Sequence, residues 1–178
     1  LDEVDPEALR PQYKEVFKQL QREKVLETMV FMERYYLLSL DGTGYFSSKT
    51  VHCDSCLEKK HKDGSITYSH QMLGGAIVHP DQKVVIPLAP EPIIKQDGVE
   101  KNDCERNAAK RFLEKLREDY PHLPLIIIED ALSANAPHIH ELKRHNLRFI
   151  LGVKAGDHKY LFTHVAQAEH EGRTTEFE

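Results

Sequence analysis

The chain has 178 residues and a formal net charge of −5 at pH 7, with 40% hydrophobic and 30% charged residues. This length and composition are typical of one folded domain with a hydrophobic core and exclude a disordered chain. The negative charge excludes a uniformly basic nucleic-acid binder. No apolar run approaches the roughly 20 residues that span a bilayer, and the sequence opens without a secretion-type leader. We therefore expect a cytoplasmic domain, and the polar ends of the chain predict that it was cut from a longer protein.

The first half of the sequence predicts a helical segment followed by strands. Residues 1–34 begin with an Asp-Pro helix start and continue with apolar residues at helical spacing. Residues 35–40 predict a short buried strand that ends at Asp41, and residues 47–65 are polar and predict a loop. Residues 66–78 and 83–87 predict an antiparallel hairpin beside the first strand.

The second half alternates helix and strand. After a linker over 89–101, Asn102 resembles the N-cap of a helix with Glu105 in its capping box. Further elements are a central strand over 125–128, a helix over 136–145 and a strand over 149–153, and the pattern over 158–164 allows one more strand. The order predicts an α/β fold with a mixed sheet, and from 165 to 178 we expect a frayed tail.

Asp41 and Asp130 each follow an apolar strand. Ligands gather at the carboxyl ends of strands in open α/β sheets, so the two carboxylates converge if their strands are neighbours. Paired carboxylates repel unless a cation lies between them, and Mg²⁺ or Mn²⁺ prefers oxygen ligands. The alternative is that Asp41 is a turn residue and Asp130 caps the next helix. We expect Glu129 to point to the other face of the sheet.

An ordered set of motifs extends this hypothesis. It resembles the catalytic domain of bacterial insertion-sequence transposases of the DDE type, over about Leu9 to Phe162. The segments that support the likeness are Leu38–Ser48, His52–Leu57, Tyr68–His70, Val85–Pro92 and Asn102–Arg111.

The resemblance implies a ribonuclease-H-like fold, with a five-stranded mixed sheet over 35–164 behind a helical segment over 1–34. It also implies catalysis of DNA strand cleavage and strand transfer by two Asp and one Glu that hold Mg²⁺ or Mn²⁺. Asp41 and Asp130 match the two Asp. The partners implied are double-stranded DNA, at the element ends and the target, and a second copy in the full-length protein; the setting implied is the bacterial nucleoid. Four candidates for the Glu follow the last strands too closely, so we expect an incomplete enzyme: Glu169, Glu171, Glu176 and Glu178.

A second cluster lies between the first two strands. Cys53 and Cys56 have the C-x-x-C spacing of a zinc site, and His52, His61 or His70 would have to complete it. The alternative is two reduced thiols in a loop, since three cysteines in a cytosolic chain argue against a disulfide framework. A zinc-stabilised, non-catalytic DNA-binding module is therefore the competing hypothesis for the whole chain.

The charge is unevenly distributed. Residues 143–159 contain five Lys or Arg against one acid. Such a run is either a solvated face or an edge that contacts DNA phosphates. The candidate DNA-binding residues are Lys143, Arg144, Arg148 and Lys154.

Overall fold

A computed structural model describes residues 5–95 and 104–175. Helices α1 (Arg10–Arg22), α2 (Glu105–Asp119), α3 (Ala136–Arg144) and α4 (Lys159–His170) flank one sheet, and short 3-10 turns at Pro6–Leu9 and Val25–Met29 bracket α1. The strands are β1 (Tyr36–Ser48), β2 (Leu57–Lys60), β3 (Ile66–Val78), β4 (Ile86–Pro87), β5 (Glu91–Ile93), β6 (Leu125–Glu129) and β7 (Arg148–Leu151).

The sheet is mixed, which confirms the predicted α/β class. Its main path runs β2-β3-β1-β6-β7, and β4 and β5 pair with β3. β1 is antiparallel to β3 but parallel to β6, and β6 is parallel to β7. Within residues 5–95 and 104–175 the sheet has seven strands rather than the five expected. The additional two, β2 and β5, lie in the predicted loop and linker, where their main-chain groups pair with β3.

The core lies between the sheet and α2. The buried face of α2 consists of Ala108, Ala109, Phe112, Leu113 and Leu116, as its helical spacing predicts. On the sheet, Leu38, Ile77 and Ile127 are fully buried. Burial of each such aliphatic side chain contributes about 1.5–3 kcal/mol, so β1, β3 and β6 hold the centre of the fold.

Three boundaries differ from the sequence predictions. β1 does not end at Asp41 but continues to Ser48, because β3 keeps pairing with it. Residues 159–164, where one more strand was expected, belong to α4, which continues through residues 165–170 of the expected frayed tail. α2 begins at Glu105 with Cys104 at its N-cap, while Asn102 lies outside the described residues. No helix in the described ranges combines the length and the apolar character that crossing a membrane requires.

Helix α2 approaches β3 most closely at Gly75. A Cβ at this position would lie 2.4 Å from Phe112 Cζ and 3.0 Å from a Leu40 methyl carbon. The ring of Phe112 is buried in the core and has little room to move. The absence of a side chain at Gly75 therefore sets the distance between helix and sheet.

We expect Gly75→Ala to lower the free energy of unfolding by about 1–3 kcal/mol, because an added methyl overpacks the core against Phe112. Urea denaturation checks this. The matched control is Gly74→Ala, where the nearest atom to a new Cβ is the Asp41 carbonyl oxygen at 3.7 Å, an ordinary contact. Equal destabilisation by both variants would contradict the packing argument.

Candidate functional site

A cleft of about 500 Å³ opens where β1 and β6 part. Asp41 and Asp130 both line it, so the structure brings the predicted pair to one site. The parallel register pairs Ser39 with Ile128, and two residues further along each chain stand Asp41 and Asp130. Both residues are exposed. The convergence follows from strand register, because parallel neighbours carry equivalent positions to the same edge.

Asp41 lies within a strand and not in a turn, so the turn alternative is wrong for this residue. It pairs with Gly74 of β3, beyond the last residue of β1 that pairs with β6. One side of β1 is therefore free of strand pairing at this level, and the cleft occupies that side. The sheet fixes the backbone of Asp41 while its carboxylate faces solvent.

Asp130 forms a local turn but does not cap α3. Its Oδ1 accepts a hydrogen bond from the Leu132 amide at 2.9 Å. The α3 cap is Asn135, whose side chain accepts from the His138 amide. A Cβ on Gly152 would lie 3.3 Å from the Ala131 amide nitrogen, so the chain after β7 packs closely on the Asp130 turn. The turn fixes Asp130 and leaves its second carboxylate oxygen available.

Glu105 is a third carboxylate of the cleft, although the sequence pattern predicted only a capping role for this residue. It lies in the first turn of α2 and lines the cleft together with Arg106. A Cβ on Gly42 would lie 2.1 Å from Glu105 Oε1, so this carboxylate rests directly on the Gly42 backbone, next to Asp41. The neighbouring glycine makes room for it. The sequence signal available was Gly42 itself, since a glycine within a strand often marks a close approach.

Glu129 faces inward, although it was expected on the opposite side of the sheet from the site. It contributes to the cleft lining, but its side chain is only 4% exposed. His138 Nε2 lies 2.5 Å from Glu129 Oε2, and Ser133 Oγ donates to Oε1 at 3.0 Å. Glu129 therefore supports the floor of the cleft by joining β6 to α3 beneath the Asp130 turn.

This arrangement predicts different behaviour for adjacent acids. Glu129→Ala leaves a buried histidine without its partner and should lower the free energy of unfolding by about 1–3 kcal/mol. Asp130→Asn keeps the acceptor for the Leu132 amide and is exposed, so we expect a change below about 0.5 kcal/mol. Thermal and urea denaturation measure both, and equal losses would contradict the separate roles of the two residues.

The four candidate DNA-binding residues do not form one surface. Lys143 and Arg144 lie at the end of α3, and Arg148 lies at the start of β7. The parallel strands begin at this end of the sheet, whereas the cleft opens at their carboxyl ends. Lys154 follows β7, at the carboxyl ends of the strands, but is not among the residues that line the cleft. Hydrogen bonds from Arg144 to Glu114 and Glu141 raise the pKa of this guanidinium. The guanidinium of Arg148 stacks on the Tyr35 ring at 5.1 Å. Arg106 is the basic residue that lines the cleft.

The cysteine cluster forms with His70, one of the three candidate histidines, and does not include His52 or His61. Cys53, Cys56 and His70 place their ligand atoms within 4.8 Å of one another, a set that could hold a metal ion. His52 instead stacks on Tyr68, and His61 Nε2 lies 2.8 Å from Thr67 Oγ1. The correction has a physical reason. The β2–β3 pairing sets Leu57 opposite Ser69 and so brings His70 beside Cys56 from 14 residues away in sequence, which spacing alone does not show.

Burial and electrostatics distinguish the two sites. Burial raises the pKa of the Cys56 thiol and, with the nearby cysteines, that of the Tyr45 hydroxyl. The cleft offers exposed carboxylate oxygens, suited to a hard cation, whereas the cluster offers sulfur and imidazole nitrogen. Among the described residues, the cleft carboxylates do not come together as a trio within 4.8 Å, as the cluster does.

Comparison of the chain with protein-family models, curated proteins and solved structures gives no match.

Proposed function

We propose that the chain is the catalytic core of a DDE-type transposase with a ribonuclease-H-like fold, which cleaves DNA strands and transfers them to a target. The observation that carries the proposal is that Asp41 and Asp130, from two adjacent parallel strands, line one open cleft. The order of strands around β1 and the motifs that resemble these transposases support it. Its partners would be double-stranded DNA and, in a longer protein, a second copy of the chain.

The residues fit a divalent ion in donor type. Asp41 and Asp130 would hold Mg²⁺ or Mn²⁺ through carboxylate oxygens, and water and a DNA phosphate would take the remaining positions. The ion, when bound, supplies charge stabilisation at the phosphate and activates the attacking oxygen. The chain contributes position: the sheet fixes Asp41, and the hydrogen bond from Leu132 orients Asp130. Arg106 is placed to pair with a phosphate at the cleft mouth.

Glu105 gives the cleft a third acidic group from α2, at a different place in the chain from the Glu that the resemblance implies. Of the four candidates for that residue, Glu169 lies on α4 and Glu171 at its C-cap. Glu176 and Glu178 lie outside the described residues. None of the four is among the residues that line the cleft as described. The proposal therefore assigns Glu105 to the wall of the metal site and leaves the family's third ligand unassigned.

Metal binding tests the proposal directly. Mn²⁺ titration followed by electron paramagnetic resonance should show a site that Asp41→Asn and Asp130→Asn each weaken at least about tenfold, a loss that even outer ligand partners cause. Nicking of supercoiled plasmid with Mn²⁺ should disappear with the same substitutions. The matched control is Asp81→Asn, which makes the same change in the turn after β3. This turn lies at the end of the strands opposite the cleft.

Two results would contradict the proposal: Mn²⁺ affinity unchanged by both substitutions, or affinity lowered equally by Asp81→Asn. Because both cleft aspartates are exposed, we expect the variants to keep the circular dichroism spectrum and urea midpoint of the unmodified chain. Loss of binding can then be attributed to the carboxylates.

The Cys53–Cys56–His70 cluster favours a second candidate, a non-catalytic DNA-binding module that a zinc ion stabilises. Fluorescence anisotropy with duplex DNA separates the two candidates when combined with the nicking assay. The module predicts binding that Asp41→Asn and Asp130→Asn leave unchanged, without nicking by any variant. The transposase core predicts nicking that both substitutions abolish.

A further inference from the structure

We propose that Cys53, Cys56 and His70 bind one zinc ion, which fastens the loop before β2 to the middle of β3. The three residues come from two segments. Cys53 and Cys56 lie in a tight turn that ends where β2 begins, and His70 lies within β3. The inference goes beyond strand cleavage, because the ion would have a structural role and its ligands are separate from the cleft.

The distances between ligand atoms match those around a tetrahedral zinc. The two Sγ atoms are 3.7 Å apart, and each lies 3.3 Å from His70 Nε2. Zinc bond lengths of about 2.3 Å to sulfur and 2.0 Å to nitrogen, at tetrahedral angles, place the sulfurs about 3.8 Å apart and sulfur and nitrogen about 3.5 Å apart. The cluster therefore needs adjustments of a few tenths of an ångström to enclose the ion.

The C-x-x-C turn is already arranged as a chelate. The Cys56 amide donates to the Cys53 carbonyl at 3.2 Å, and the Cys53 amide donates to Cys56 Sγ at 3.3 Å. The second hydrogen bond stabilises negative charge on a thiolate, which is the form that binds metal. Cys56 is 1% exposed, so its sulfur occupies one fixed position. Both sulfurs thus point to the same place before any ion binds.

A β-bulge positions the histidine. The β1–β3 register shifts between Gly44 and Phe46, so that Tyr45 is the extra residue and Phe46 pairs with His70. In a regular strand Tyr45 and Phe46 would face opposite sides of the sheet. Here both rings contact the imidazole, with centroids 5.8 Å and 5.6 Å away, and Tyr45 stacks on it. The bulge therefore lets two successive aromatic residues orient His70 towards the thiols.

The ligand chemistry selects the metal. Two sulfurs and an imidazole favour zinc over Mg²⁺ or Ca²⁺, which take oxygen ligands. The sulfurs at 3.7 Å are not bonded to each other. Cys53 and His70 are half-buried, so water or a small anion would complete the coordination of the ion.

The zinc site and the acidic cleft lie at different positions along the β1–β3 hairpin. His70 precedes Gly74, the partner of Asp41, by four residues, which corresponds to roughly 13 Å along β3. The ion would therefore hold the outer half of the hairpin, including β2, without entering the cleft. Failure of the cleft proposal and failure of the zinc proposal can be observed separately.

The test begins with the unmodified chain, expressed in zinc-supplemented medium and purified with a reducing agent. We expect mass spectrometric metal analysis to find about one zinc per chain. Replacement by Co²⁺ should give thiolate charge-transfer absorption in the near ultraviolet and the visible bands of a tetrahedral site. Alkylation should modify Cys104 rapidly in the zinc-loaded protein and Cys53 and Cys56 after addition of a chelator.

Variants identify the ligands. Cys53→Ser, Cys56→Ser and His70→Gln should each lose the zinc, whereas Cys104→Ser and His52→Gln, the matched controls, should retain it. Asp41→Asn and Asp130→Asn should also retain it, which separates this site from the cleft. The proposal is overturned by a folded, reduced chain that contains no stoichiometric zinc and shows no cobalt thiolate band. Zinc that survives both Cys53→Ser and His70→Gln overturns it too. Because the cobalt titration uses the unmodified chain, misfolding of a variant cannot decide the outcome.

Discussion

The parallel pairing of β1 with β6 is the constraint on which the rest of the structure depends. Leu38 and Ile127 are registered partners, and both are fully buried under the helices. Consecutive residues of both strands are buried, so a shift of one residue in this pairing would misalign side chains that are packed on both faces of the sheet, and core packing fixes the register. That register carries Asp41 and Asp130 to the same level. The geometry of the cleft is therefore a result of core packing and does not depend on any contact between the two aspartates.

Strand β3 connects β1 to the other antiparallel strands and contributes to both candidate sites. It joins β1, β2, β4 and β5, receives Phe112 of α2 at Gly75, and contributes Leu73 to the cleft and His70 to the cysteine cluster. One side of β1 thus meets a short parallel strand that ends at the cleft, and the other meets a long antiparallel strand that continues past it. The two candidate sites follow from this difference in length between β6 and β3. The cleft lies where β6 ends, and the cysteine cluster lies beside the part of β3 that continues further.

Much of this was accessible from the sequence, because the apolar runs that form β1 and β6 and the helical stripe of α2 are strong local signals. The predicted convergence of Asp41 and Asp130 needed only those strands to be neighbours. Glu105 and Glu129 were misjudged because helix placement and side-chain direction at a strand end depend on tertiary contacts. His70 was one of three candidate histidines, and the choice among them depends on the pairing of β2 with β3, which local patterns do not show. Residues 159–164, where one more strand was expected, form the first half of α4, with Tyr160 86% exposed.

The bulge at Tyr45 also divides the β1–β3 hairpin into an inner part and an outer part, and the sequence of each part can change independently of the other. β1 pairs with β6 from Tyr36 to Ser39 and keeps one register with β3 up to Gly44, whereas from Phe46 onwards its register with β3 is shifted by one residue. The extra residue, Tyr45, accounts for this shift in register. Insertions or deletions in the loop between β1 and β2 can therefore remodel the outer hairpin, with its thiols and aromatic rings, while the acidic residues at the inner end keep their alignment.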